Sequence, residues 1–258
     1  MQMTPSLDAA TDRVVRSTTL WGLVPAVVVG VALWFVNPIV AVLALILIAS
    51  LWAVFVSTRV RTAVDRTIGP LATSPLMRGS NPRLENLLDG LCVTGGVARP
   101  TVLVLDTDAM NGLVVADHTD ATLVLTRGLI DGLGRIELEG AIANLLGRQR
   151  DGSARYATVV TSLFGSSGYG GRRLAAGLGD QRAVRSDMAA VDLTRYPPGL
   201  ISALTRMDEA GTAVPGAPAR SVHLWLAPAA ASGGSLEARL AETTMQPLGL
   251  RIAVLEEL

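Results

Sequence analysis

The chain contains no lysine, and its 22 Lys/Arg positions are all arginine. That absence excludes a Schiff-base lysine and any phosphate loop of the form G-x-x-x-x-G-K-[ST]. Cysteine occurs once, at Cys92, so neither an intramolecular disulfide nor a multi-cysteine zinc site can form. His118 and His223 are the only histidines, which leaves histidine-based metal or triad chemistry short of parts. The formal net charge is +0, without the clustered basic excess of a nucleic-acid surface, so no nucleic-acid partner is expected.

Charge is also missing from one long interval. No charged residue lies between Arg16 and Arg59, and the interval holds two apolar blocks, Leu20 to Val36 and Ile39 to Val56. Each is close to the ~20 residues that span a bilayer as helix. Lipid offers no hydrogen-bond partners, so each block must be helical, and Asn37-Pro38 supplies the turn between them. Arg13 and Arg16 precede the hairpin while Arg59, Arg61 and Arg66 follow it. The positive-inside bias therefore predicts an inner-membrane protein with both termini and the globular part cytoplasmic, and the lipid bilayer as its first partner. Trp21 and Trp52 are expected at the cytoplasmic interface and Trp34 near the opposite one. A cleaved signal peptide fits less well, because a second block follows and no A-x-A site ends the first. A buried hairpin of a soluble core is disfavoured by two adjacent uncharged runs.

The expected organisation is an N-terminal segment over 1–18, the hairpin over 19–57, a linker over 58–82 and a domain over 83–258. Arg83 to Thr94 carries Leu84, Leu87, Leu88 and Leu91 at helical spacing and ends at Gly95-Gly96. Thr101 to Asp106, Leu113 to Ala116 and Thr122 to Thr126 have strand composition, separated by turn residues. Helices are expected over Arg135 to Arg150, Tyr156 to Phe164, Gln181 to Leu193 and Pro198 to Met207, with a loop from Gly165 to Gly171. A short strand is expected at His223-Leu224-Trp225-Leu226. Helix, strands and then several helices predict an α+β domain.

From Leu84 to Leu240 the order of fragments resembles the HtpX family of membrane-anchored zinc metallopeptidases. The fragments are VARPTVLVLDTDAMNGLVV, TLVLTRGLIDGL, RIELEGAIANLLGRQRDG, RAVRSDMAAVDLTRYPPGLISALTRM, SVHLWLAP and SLEARL. The resemblance implies a zincin-like domain, a small sheet packed with helices, behind the membrane hairpin. It also implies a helix bearing His-Glu-x-x-His, whose two histidines bind zinc while the Glu activates water, and a later Glu-x-x-x-Asp helix giving the third ligand.

Those functional groups are missing here. Position by position, the first His is Asn144, the Glu is Leu145, the second His is Arg148 and the third ligand is Ala183. Only the Asp survives, as Asp187. No catalytic residue, metal or cofactor is therefore expected. A guanidinium in this region disfavours a dication, and Asp187, one turn from Ala183, is the expected counter-ion of Arg148. An Arg148/Asp187/Asn144 cluster would then cross-link the two helices in place of the metal. The alternative is that Arg148 simply reaches solvent.

Other candidates are weaker. His118 reads as an exposed turn residue, and it shares no ligand spacing with His223 and Cys92. Gly165-Ser166-Ser167-Gly168 does not satisfy G-x-S-x-G. Asp106, Asp108, Asp117 and Asp120 fit turn chemistry better than a cation site. Asn111, Gly112 and Leu113 correspond to the segment bordering the edge strand on which the peptidases lay substrate. Strand addition needs only backbone donors and acceptors, so a zinc-free relative can still bind a peptide or membrane-protein partner there; the alternative is that a loop simply covers the edge. The leading expectation is thus a catalytically inactive HtpX-like protein acting by binding. The rivals are a metallopeptidase with atypical ligands and an accessory subunit joined to a larger complex through its hairpin, where Gly22, Ala26 and Gly30 allow close helix approach.

Overall fold

The computed structural model describes residues 7–165, 168–229 and 245–258. Ser166, Ser167 and the SLEARL fragment at 235–240 lie outside the described residues. Helix α1 (Asp8–Trp21) runs into α2 (Leu23–Trp34), and α3 (Pro38–Arg61) returns antiparallel. The return is set by Asn37, whose Oδ1 accepts from the Ile39 and Val40 amides at 2.9 and 3.3 Å, with Pro38 opening the helix. The spans 8–34 and 38–61 are both long and apolar enough to cross a membrane.

Close packing joins the two helices. Ala26, Gly30 and Ala41 are buried, and a side chain on Gly22 would collide with the Trp52 ring, whose indole N–H donates to the Thr18 carbonyl at 2.9 Å. The small-residue stripe is thus used within the hairpin. The outward faces stay bare, with Phe35 85% and Val36 82% exposed. A contiguous apolar surface of that kind suits lipid and not water. Trp21 and Trp52 line one cavity at the domain end of the hairpin, and Trp34 lies at its tip.

Residues 7–18 of the N-terminal segment and the 58–82 stretch pack against the rest of the chain. In α1, Asp8 and Asp12 pair with Arg155 at 3.2 and 2.8 Å. Past α3 come α4 (Ala63–Ile68) and β1 (Thr73–Pro75), which pairs antiparallel with β2 (Thr101–Leu105). The end of α3 is tied to α8 (Ser153–Phe164): Arg59 Nη1 donates to the Ser162 carbonyl at 3.1 Å, and Ser162 Oγ returns a bond to the Arg59 carbonyl at 2.7 Å.

The sheet has the order β1-β2-β4-β3, with β3 spanning Gly112–Ala116 and β4 Ala121–Thr126. The β2/β4 pair is parallel and the β3/β4 pair antiparallel, which makes a mixed sheet. The β3–β4 turn is closed by Asp117 Oδ1, which accepts from the Thr119 and Asp120 amides at 2.8 Å each. His118 is exposed at its tip.

Helix α5 (Pro82–Gly95) lies between β1 and β2, and α6 (Arg127–Gly132) and α7 (Arg135–Arg150) follow β4, with α8 leading to α9 (Gly168–Leu178), α10 (Arg182–Thr194), α11 (Pro197–Ala210) and α12 (Leu248–Glu256). The stretch Ala219–Leu224 forms a 3-10 turn in place of the expected strand. Two-helix hairpin, small mixed sheet and surrounding helices make the α+β, zincin-like architecture expected above. Helix α7 runs through the core, where Leu138, Ala141, Ile142, Leu145 and Leu146 are all fully buried. Glycine lets its neighbours approach: a Cβ on Gly140 would lie 2.9 Å from the Leu200 backbone of α11, and one on Gly147 2.9 Å from Ala189 Cβ of α10.

Candidate functional site

One helical turn places Asn144 and Arg148 on a common face of α7, and Ala183 and Asp187 on a common face of α10. The two faces meet where Asn144 Nδ2 donates to Asp187 Oδ1 at 2.7 Å. The expected Arg148–Asp187 ion pair does not form. The carboxylate is taken instead by Arg251 of α12, whose Nε meets Oδ2 and whose Nη2 meets Oδ1, both at 2.7 Å. A planar guanidinium matches both carboxylate oxygens at once, and Asn144 uses the remaining acceptor capacity.

Arg148 does not reach solvent either; it is 8% exposed. Its Nη1 donates to the Trp225 carbonyl at 2.8 Å and more weakly to Leu224 at 3.4 Å. Arg182 Nη1 donates to the His223 carbonyl at 2.9 Å, and Arg251 Nη1 to the Leu226 carbonyl at 2.7 Å. Three arginines from three helices thus grip four successive carbonyls, residues 223 to 226.

The gripped segment is laid along the edge of β3. Leu113 bridges Trp225 in antiparallel sense, and the Leu226 amide donates to the Gly112 carbonyl at 2.7 Å. Asn111, fully buried, extends the pairing with its side chain: Oδ1 accepts from the Ala227 amide at 3.2 Å, and Nδ2 donates to the Ala227 carbonyl at 3.0 Å. The edge at Asn111, Gly112 and Leu113 is therefore covered by the chain's own segment, a strap over residues 225–227, as in the covered-edge alternative. The reason is that a buried strand edge must pair its backbone groups somewhere.

Burial, and then the nearby charge of Arg251, pushes the Arg148 pKa down to about 10, with Asp187 and Asp151 opposing. Burial followed by the charges of Arg148 and Arg251 pushes Arg182 down to about 9. Both remain protonated at neutral pH. Asp151 is raised by burial, against the bonds it accepts from Ser153 and the charges of Arg148 and Arg185.

These residues do not fit zinc. Leu145, where the resemblance puts the general base, is a core residue against β3 and would lie 3.1 Å from a Cβ on Gly112. Ala183 offers no ligand, and Asp187 is committed to Arg251. Three guanidiniums repel a dication. Among the described residues no group of three His, Cys, Asp or Glu side chains is placed to hold a metal ion. Cys92 is buried in the core, away from exposed His118.

Arg182 and Arg251 are the site residues that sequence reasoning passed over. Arg251 had a signal: it stands between Leu250 and Ile252 on a strongly apolar helix, and a buried arginine demands a carboxylate. Arg182 had none, since it neighbours other arginines near a helix start.

The chain is similar to proteases named HtpX homologs. It is 28% identical over 167 residues to the protease HtpX homolog of Dictyoglomus turgidum, covering 50% of this chain and 55% of that protein. The HtpX homolog of Tropheryma whipplei is 26% identical over 188 residues, with 58% and 65% covered. That of Acidiphilium cryptum is 27% identical over 237 residues, with 78% and 80% covered. The chain spans about half the length of the first two curated relatives it matches, at 55% and 54% of them. No family model matches it.

Proposed function

We propose that this chain is a non-catalytic, HtpX-like membrane protein that works by binding a peptide or membrane-protein partner in membrane-protein handling. The observation that carries the reading is the Asn144–Asp187–Arg251 network, which stands where the resemblance places the zinc ligands. It ties α7, α10 and α12 together with hydrogen bonds and charge, which are the cross-links the metal would otherwise supply. The domain and both termini lie in the cytoplasm in this reading, as the flanking arginines favour.

Because the strap fills the β3 edge, a partner strand gains Asn111, Gly112 and Leu113 only by displacing residues 225–227. Affinity purification of the full chain in mild detergent tests the binding role. Specific recovery of a membrane protein or peptide, lost when Leu113 carries a bulky charged residue, supports it; recovery of the chain alone contradicts it.

A further inference from the structure

Arg148 and Arg182 line a cavity of about 20 Å³ with Val114, Ala157, His223 and Leu224. That is room for one water-sized occupant. Each arginine spends one nitrogen on the strap carbonyls. The Nε of Arg148 and the Nη2 of Arg182 are enclosed and have no hydrogen-bond partner among the described residues.

The two serines on the cavity wall do not answer them. Ser153 Oγ donates to the Arg148 carbonyl at 3.3 Å, and Ser186 Oγ to the Arg182 carbonyl at 2.9 Å. Asp187 is already paired with Arg251. Among the described residues the charges that act on Arg148 are those of Arg251, Asp187 and Asp151, whereas Arg182 feels Arg148 and Arg251 with no described carboxylate against them. Among the described residues the positive excess therefore sits at this cavity, and an enclosed cationic N–H without an acceptor is costly.

We propose that the cavity binds one halide-sized monoanion, chloride under ordinary conditions, held between the Nε–H of Arg148 and the Nη2–H of Arg182. A water molecule satisfies the donors but leaves the charge uncompensated. Phosphate and sulfate are too large for the space. The charge logic of the peptidase centre is then inverted: where carboxylate and imidazole hold a cation, guanidiniums hold an anion between the same helices and the strap. The inference stands apart from the partner-binding role, because its readout is the halide itself.

The test uses the full chain in detergent, unfolded by heat at constant ionic strength while sodium gluconate is replaced by chloride or bromide. A saturable rise in Tm of roughly 3 °C is expected with either halide. Arg182→Gln, at the less buried of the two arginines, removes that dependence. Crystals of the unaltered chain soaked in bromide give an anomalous peak between Arg148 and Arg182, a result that does not depend on the variant folding. No halide dependence, equal dependence in Arg182→Gln, or bromide peaks only elsewhere would overturn the proposal.

Discussion

Arg251 and Asp187 form a two-pronged ion pair, 2.7 Å at each contact, with both side chains sealed from solvent and the two residues 64 positions apart in the chain. Removing one partner of such a pair strands the other charge. Arg251→Met is expected to destabilise the domain by about 3–5 kcal/mol, whereas the double change Arg251→Met with Asp187→Leu recovers most of that loss. Denaturant unfolding of the three variants measures it; a mild effect of the single change would show that the pair is not what joins α10 and α12.

Trp225, fully buried with its indole N–H on Ser221 Oγ at 3.0 Å, anchors the strap. Trp225→Ala should cost about 3–5 kcal/mol and release the strap from β3. Hydrogen exchange reads this directly. The Leu226 and Ala227 amides should lose protection while β3, still paired with β4, keeps its own; unchanged protection at 226 and 227 contradicts the anchoring role.

Glu137 caps α7, accepting from the Gly134 amide at 2.7 Å, Ser202 Oγ at 2.5 Å and Arg206 at 3.2 Å. Burial alone would raise its pKa, but the Ser202 hydroxyl, the Gly134 amide and the Arg206 charge together hold it below the ordinary glutamate range. A depressed carboxylate contributes stability above its unfolded pKa and loses it as pH falls through the folded value. Glu137→Gln is therefore expected to lower stability by about 1 kcal/mol at neutral pH, and by nothing below both pKa values. Unfolding curves at neutral pH and in acid check the sign.

The single cysteine, Cys92, is buried, which makes introduced thiols readable. Val93, 84% exposed on α5, and Val36, 82% exposed at the hairpin tip, are suitable positions. In intact cells an impermeant thiol reagent should label Val36→Cys and reach Val93→Cys only after permeabilisation. The opposite pattern would put the domain outside.

Much of the fold is legible where local pattern and burial agree. The leucines at 84, 87, 88 and 91 define α5, and the Val/Leu/Thr runs define β2, β3 and β4 to within a residue or two. What is not legible depends on tertiary partners. β1 is three residues ending in Pro75 and exists only because β2 offers an edge. His223 to Leu226 has strand composition, yet arginines and β3 divide it between a 3-10 turn and a single bridge. Helix α9 begins at Gly168, inside a stretch whose glycines read as loop.

At the site, the resemblance sets Asn144 and Asp187 on neighbouring helices, and their side chains are hydrogen-bonded. Helical spacing could not choose between Arg148 and Arg251 as the counter-ion. That choice depends on where α12 docks, some 60 residues away in sequence, and on the strap carbonyls that draw Arg148 aside.

In the proposed reading, Arg251, Asp187 and Asn144 close the place where the resemblance puts the zinc ligands. The direct measurement is the zinc content of the full chain purified without chelator, together with its Tm before and after chelator treatment. The expected result is zinc far below one equivalent per chain and an unchanged Tm. Stoichiometric zinc whose removal lowers the Tm would contradict it.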